Sequence, residues 1–237
     1  MLRTLVLLSA CLCSATALAE TVVPLKIGET EVRFAVDDDF VRTSEKLPTT
    51  YALTAAALPP GNRLVEAFIS EADAKRLVLQ QPIQDAMLQV QVLRNAEALD
   101  FSAADWAQMQ PAVAKSMGAV DLDAAAHALE DDANTRISAA AGAKVAVSFG
   151  AIGKPSLYVD HGPALRFVAL IPLTMTANGK PKPMLLECAG AITTLKGKLV
   201  YLYAYRNHEE GEDTTMVRAA LDRFVEHTLA ANAVSRQ

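Results

Sequence analysis

Cysteine is scarce in this chain: three in 237 residues, at positions 11, 13 and 188. That is too few for a disulfide-stapled scaffold. Aromatic residues make up only 5%, and glycine and proline number 11 each, which excludes collagen-like and low-complexity chains. Basic charge is also short. The net charge of −5 argues against nucleic acid or an anionic membrane as the main partner, because both select a basic surface. Beyond the first nineteen residues no run approaches the ~18 apolar residues needed to span a bilayer. The longest candidate there, Phe167–Leu173, is strand-length and contains Pro172. What the chain does have is 51% hydrophobic residues, enough for a globular core that would bury roughly 70% of the unfolded surface.

The first nineteen residues, MLRTLVLLSACLCSATALA, read as a signal peptide. Arg3 supplies the basic start, Leu5–Leu12 the apolar stretch and Ala17-Leu18-Ala19 the small-x-small site, with cleavage expected before Glu20. The alternative is a lipoprotein acylated at Cys11 within Leu8-Ser9-Ala10-Cys11, but the apolar stretch before that cysteine is short. Cleavage would leave Cys188 as the lone thiol, with no internal disulfide possible. The expected home is the periplasm, and residues 20–237 are expected to form one domain.

Val22–Ile27 and Glu31–Val36 alternate as a hairpin across Gly28-Glu29. A helix over Tyr51–Leu58 is stopped by Pro59-Pro60-Gly61, and Leu64–Ile69 reads as a strand. In Met87–Leu93 the apolar Leu88, Val90 and Val92 alternate with Gln89 and Gln91. Ser102 and Asp105 form a capping pair ahead of Trp106, Met109, Val113 and Met117 at helical spacing, with Pro111 expected to kink or split the helix and Gly118 to end it. A second helix is expected over Asp121–Ile137, followed by a loose connector at Ser138–Ala143. Five strands follow: Lys144–Phe149, Leu157–Val159, Ala164–Met175, Met184–Thr193 and Leu199–Arg206, with turns at Asp160-His161-Gly162, Asn178-Gly179 and Lys196-Gly197. A closing helix begins near Asp213 or Thr214 and presents Val217, Leu221, Phe224, Val225 and Leu229 on one side. Hairpin-linked strands with helices gathered elsewhere give an α+β fold, an antiparallel sheet with packed helices in a possible three-layer α/β/α sandwich.

This order of elements, an opening hairpin, a central helical segment, the meander Ala164–Arg206 and an amphipathic final helix, resembles the PsbP-like sandwich shared with DcrB-like bacterial envelope proteins. The resemblance implies a small accessory or partner-binding protein outside the cytoplasm, usually without catalytic residues. It is an analogy of fold, and function must come from a site.

No spacing in the chain supplies an active-site motif. Cys188 falls with Met184 and Leu186 on the apolar side of a strand, which suits a core thiol better than a nucleophile. Asp123, His127 and Asp131 share one side of the second helix, but the outer two lie ~12 Å apart along the axis, so a solvated polar face fits them better than a metal site. His161 occupies a turn. His208 opens the acidic loop His208-Glu209-Glu210-Gly211-Glu212-Asp213, which could attract a cation or a basic partner, although acids ahead of a helix also favour its N-terminus. Asp37-Asp38-Asp39 lacks the ligand spacing of a calcium loop.

The most informative residues are aromatic. Tyr201, Tyr203 and Tyr205 alternate with Val200, Leu202 and Ala204. The small aliphatic side suits the closing helix, leaving the tyrosines on the other side as a second core layer under the central helices or as a recognition surface. The candidate partner-binding set is therefore Tyr201, Tyr203, Tyr205, His208, Glu209 and Glu210, with no catalytic, cofactor or metal residues. The expected function is partner binding by an exported protein, such as an envelope assembly factor or a toxin-immunity protein. The alternatives are a metal-dependent hydrolase using His161 or His208, and a carrier of a small molecule or lipid.

Overall fold

The computed structural model describes residues 20–119, 121–209 and 211–233. The signal segment, the Cys11 alternative and Glu210 lie outside these residues. Among them the chain forms ten strands and six helices: β1 (Glu20–Ile27), β2 (Thr30–Asp37), β3 (Phe40–Arg42), α1 (Thr43–Lys46), α2 (Pro48–Ala57), β4 (Asn62–Ser70), α3 (Glu71–Val78), β5 (Met87–Leu93), α4 (Ala103–Met117), α5 (Leu122–Ala141), β6 (Val145–Phe149), β7 (Ser156–Val159), β8 (Ala164–Ala177), β9 (Lys180–Leu195), β10 (Lys198–Asn207) and α6 (Thr215–Asn232). The fold is α+β. Strands β1 and β2 pair as a hairpin, and the other eight form one antiparallel sheet of order β3-β4-β5-β10-β9-β8-β6, with β7 also on β8.

The turns close as their residues require. Asn178-Gly179 and Lys196-Gly197 both take positive φ at both positions, the backbone of a two-residue hairpin whose twist matches the strands it joins. They set the register that pairs Phe167 with Gly190, and Gly190 with Tyr203.

Period-2 alternation then divides the central sheet into two sides. Phe68, Leu88, Val90, Val92, Ala189, Ala191, Val200, Leu202 and Ala204 meet the hairpin's Val23, Leu25, Ile27, Val32 and Phe34 and the Val217, Leu221, Phe224 and Val225 stripe of α6 in one core. Phe68 and Phe224 make an edge-to-face pair with centroids 6.2 Å apart. On the opposite side Trp106 of α4 packs on Leu165 and Ile192, joined by Phe167, Leu199 and Tyr201.

Two expectations need correction. Pro111 does not split α4, which runs unbroken from Ala103 to Met117. Both Pro111 and Ala107, whose carbonyl loses its helical partner, are exposed, so that carbonyl is open to solvent and its lost bond is cheap. The Ser138–Ala143 connector is mostly helix, because α5 continues to Ala141 and ends at Gly142 in a left-handed conformation. In β5 both sides of the strand are covered: Gln89 and Gln91 are buried, on the same side of the sheet as the tyrosines of β10 and paired with Tyr203 and Tyr201.

Helix α5 has a further role. Its polar side chains bond the outer edge of β6 in place of another strand. Ser138 Oγ and Asn134 each both donate to and accept from the backbone, at Val145 and Val147, and Glu130 accepts from Phe149 N–H at 2.7 Å. Asp123 accepts from Ile152 N–H beyond the strand. On the other flank Arg136 donates to the carbonyls of Ala56 and Leu58, capping the end of α2. An exposed strand edge is a site for unwanted pairing, and here a helix closes it.

Candidate functional site

The tyrosine row lies at the middle of the sheet's second side. Tyr201, Tyr203 and Tyr205 stand on β10 opposite Ile192, Gly190 and Cys188 of β9, and opposite Gln91, Gln89 and Met87 of β5. Tyr203 and Tyr205 stack with centroids 5.6 Å apart, and the edge of Phe167 meets Tyr203 at 6.3 Å. Gly190 makes this arrangement possible. A Cβ at that position would lie 2.3 Å from Phe167 Cζ, so the ring occupies the space that any larger residue would claim. Beside the rings runs a hydrogen-bonded amide row in which Asn62 donates to Gln91 and Gln91 donates to Gln89.

Desolvation raises the pKa of all three tyrosines, furthest for Tyr203 and Tyr205. Burial also pushes the Cys188 thiol up to about 12, with Tyr205 alongside it. A thiol held neutral in this way is a poor nucleophile at ordinary pH. Each tyrosine nevertheless keeps some accessible surface. The row is therefore largely, but not wholly, covered. Four of the five tyrosines fall into two pairs. Tyr51 donates its hydroxyl to the Leu64 carbonyl and Tyr158 to Asp222, whereas the hydroxyls of Tyr201 and Tyr203 make no hydrogen bond among the described residues.

The remaining candidates do not join this row. His208 lies beyond the end of β10 on the α6 side, where its Nδ1 is 2.7 Å from Oε1 of the fully buried Glu187. Glu209 is exposed. Each histidine meets a single carboxylate: His127 with Glu130, His161 with Asp160, His208 with Glu187 and His227 with Glu20. Among the described residues no group of three or more His, Cys, Asp or Glu is placed to hold a metal ion. The acidic loop is used within the fold: Glu212 pairs with Arg206, and Asp213 accepts from Thr215 N–H at the start of α6. Those bonds hold the Asp213 carboxyl below its ordinary range.

Sequence reasoning missed a second concavity, a pocket of about 370 Å³ between β2, the ends of β4 and β5, and α6. Its apolar floor includes Phe40, Leu88 and Phe224. Asp37, Asp39 and Asp85 line it together with Arg206, Arg223 and His227. Arg223 Nη1 lies 3.4 Å from Asp37. Sequence offers one hint of this arrangement: Arg206 is a charge in register with the core-facing Val200, Leu202 and Ala204 of the same strand.

No protein-family model matches the chain, and no curated protein matches it. Among solved structures it is similar to the solution structure of cyanobacterial PsbP (CyanoP) from Synechocystis sp. PCC 6803. The two are 11% identical with a TM-score of 0.33, over 91% of this chain and 95% of that one. At that score the likeness is loose.

Proposed function

We propose that this chain is an exported binding protein of the periplasm, freed of residues 1–19 and folded from Glu20 as one domain, with kinship to DcrB-like envelope proteins. Its working surface is the tyrosine row, and its partner is another exported or envelope protein, as for an assembly factor or a toxin-immunity protein. The observation that carries this reading is the contrast among the tyrosines: hydroxyls at 51 and 158 are bonded within the fold, whereas those at 201 and 203 sit in a partly covered aromatic row with no bond partner among the described residues. Tyrosine offers large apolar area with few rotatable bonds and a polar tip, which is why it concentrates at recognition sites.

A photo-crosslinking amino acid in place of Tyr203, in cells exporting the protein, should give one discrete adduct, and the same group in place of the internally bonded Tyr158 should give none. No adduct from position 203, or the same adduct from both, overturns the assignment.

The pocket beneath α6 favours carriage of a small molecule as a second reading, because about 370 Å³ falls within the size range of ligand sites, which begins near 300 Å³. Native mass spectrometry of the purified protein tests it, and a co-purified ligand lost on Leu88→Trp would support the pocket over the tyrosine row.

A further inference from the structure

The whole-chain charge conceals a local reversal. Between Ala133 and Leu186 the sequence has six basic residues and one acid, Asp160. The rest of the chain therefore has 16 basic and 26 acidic residues, taken from totals of 22 and 27. The fold gathers much of this basic segment into one arm. Strand β10 pairs with β9 only from Leu186 onward, whereas β8 and β9 stay paired as far as Ala177 and Lys180. The β8–β9 hairpin thus runs six residues past the end of β10, about 20 Å at strand spacing, flanked by β6 and α5.

We propose that the tip of this arm docks on an anionic lipid surface. Lys144, Lys180 and Lys182 all lie there and all are exposed. None has a carboxylate within ion-pair range among the described residues. The arginines of the same segment are already engaged, Arg136 with Asp132 and Arg166 with Asp222 and Glu226. On α5, Asp132 lies six residues before the Ser138 that meets Val145, about 9 Å back along the helix.

Three observations favour a lipid surface over a protein or a peptide strand. The cations are lysines, compact charges on flexible stems that follow diffuse negative charge, and not arginines, whose planar fork suits a fixed carboxylate. The edge of β9 beyond β10 contains Pro181 and Pro183, which have no N–H to offer an added strand. Met175, opposite Lys182 in the ladder, is 37% exposed and places an apolar side chain among the lysines, where a headgroup layer would receive it.

The test is co-sedimentation of the chain from Glu20 onward, which contains every element described, with vesicles about one-third phosphatidylglycerol in phosphatidylethanolamine and with pure phosphatidylcholine vesicles. Binding to the anionic vesicles alone, weakened by salt, is expected. Each lysine contributes about fivefold near such a surface, so K144Q/K180Q/K182Q should lose roughly 100-fold. The control K26Q/K46Q/K115Q removes the same charge from exposed lysines elsewhere and should retain nearly all binding. Absence of binding to the anionic vesicles, insensitivity to salt, or equal loss in both triple variants would overturn the proposal. Tighter retention of DNA or polyglutamate than of vesicles would also overturn it, by reassigning the arm to a soluble polyanion. Unchanged circular dichroism in the variants keeps a loss of binding attributable to the lysines.

Discussion

The two sides of the central sheet are built from the same strands, one residue out of phase, yet they differ in chemistry. The α6 side is apolar and tightly packed through its middle, with the pocket only at its margin: Val90, Val200, Leu202, Ala204, Val217 and Leu221 are all fully buried. The opposite side has three tyrosines, two glutamines, a cysteine and a glycine, and it is only partly covered. Stability should therefore be concentrated on the first side, and recognition and titration on the second. The largest expected effect tests the packed side. Phe224→Ala removes a ring packed edge-on against Phe68 and should cost about 3–5 kcal/mol, read as a lower midpoint in urea with an unchanged slope. A loss under about 1 kcal/mol would mean that α6 does not hold this core.

On the open side the most demanding position is Gly190. Gly190→Ala puts a methyl group into the Phe167 ring and should cost about 1–3 kcal/mol, as overpacking does. Adding Phe167→Ala should make the alanine at 190 nearly neutral relative to Phe167→Ala alone. Two independent, additive losses would mean that the ring does not lie over the glycine.

Alkali separates the two sides further. Tyr203, Tyr205 and Cys188 all have pKa values raised by burial, so the folded form holds protons that the unfolded chain releases from about pH 9 upward. The stability these groups contribute is fully present below that pH and is lost as pH rises toward their folded values. Each steepens the fall by up to tenfold in the folding equilibrium per pH unit. Replacing Tyr203 and Tyr205 by phenylalanine should flatten the alkaline limb of an unfolding-midpoint profile and leave the neutral region unchanged. An unaltered limb would show that these hydroxyls are not the desolvated groups.

How far this contrast could be foreseen depends on the kind of signal each element leaves. The alternation of Leu165–Met175 and Leu199–Tyr205, with Gly at both tight turns, was enough to read the meander and to place Val200, Leu202 and Ala204 against the final helix. The same period could not show what covered the tyrosines, because that depends on where α4 and α5 return in space. β3 and α1 are too short to show periodicity. α3 is only eight residues long and its one buried side chain is Asp73, too little for an apolar period to stand out. Asp123, read from sequence as part of a solvated polar face, bonds the backbone just past β6, and its neighbour Glu130 bonds the strand edge itself, roles that require knowing that β6 is the last strand. The pocket under α6 was hidden for the same reason, since its Asp37, Arg206 and Arg223 come from three distant segments.

The smallest expected effect is also the sharpest test of the division, because it concerns single oxygen atoms. Tyr158 donates to Asp222 at 2.9 Å, so Tyr158→Phe removes a charge-assisted bond and should cost about 1–2 kcal/mol. Tyr203→Phe removes a hydroxyl with no partner in the fold and should change stability by less than about 0.5 kcal/mol. If its hydroxyl is poorly hydrated in the partly covered row, the change should be a slight gain. Measured side by side by urea denaturation, the two variants ask whether the hydroxyl at 203 serves the fold. A cost at Tyr203 equal to that at Tyr158 would give the ring an internal partner and make the open side a second core layer, whereas neutrality would leave that oxygen available to whatever reaches the row.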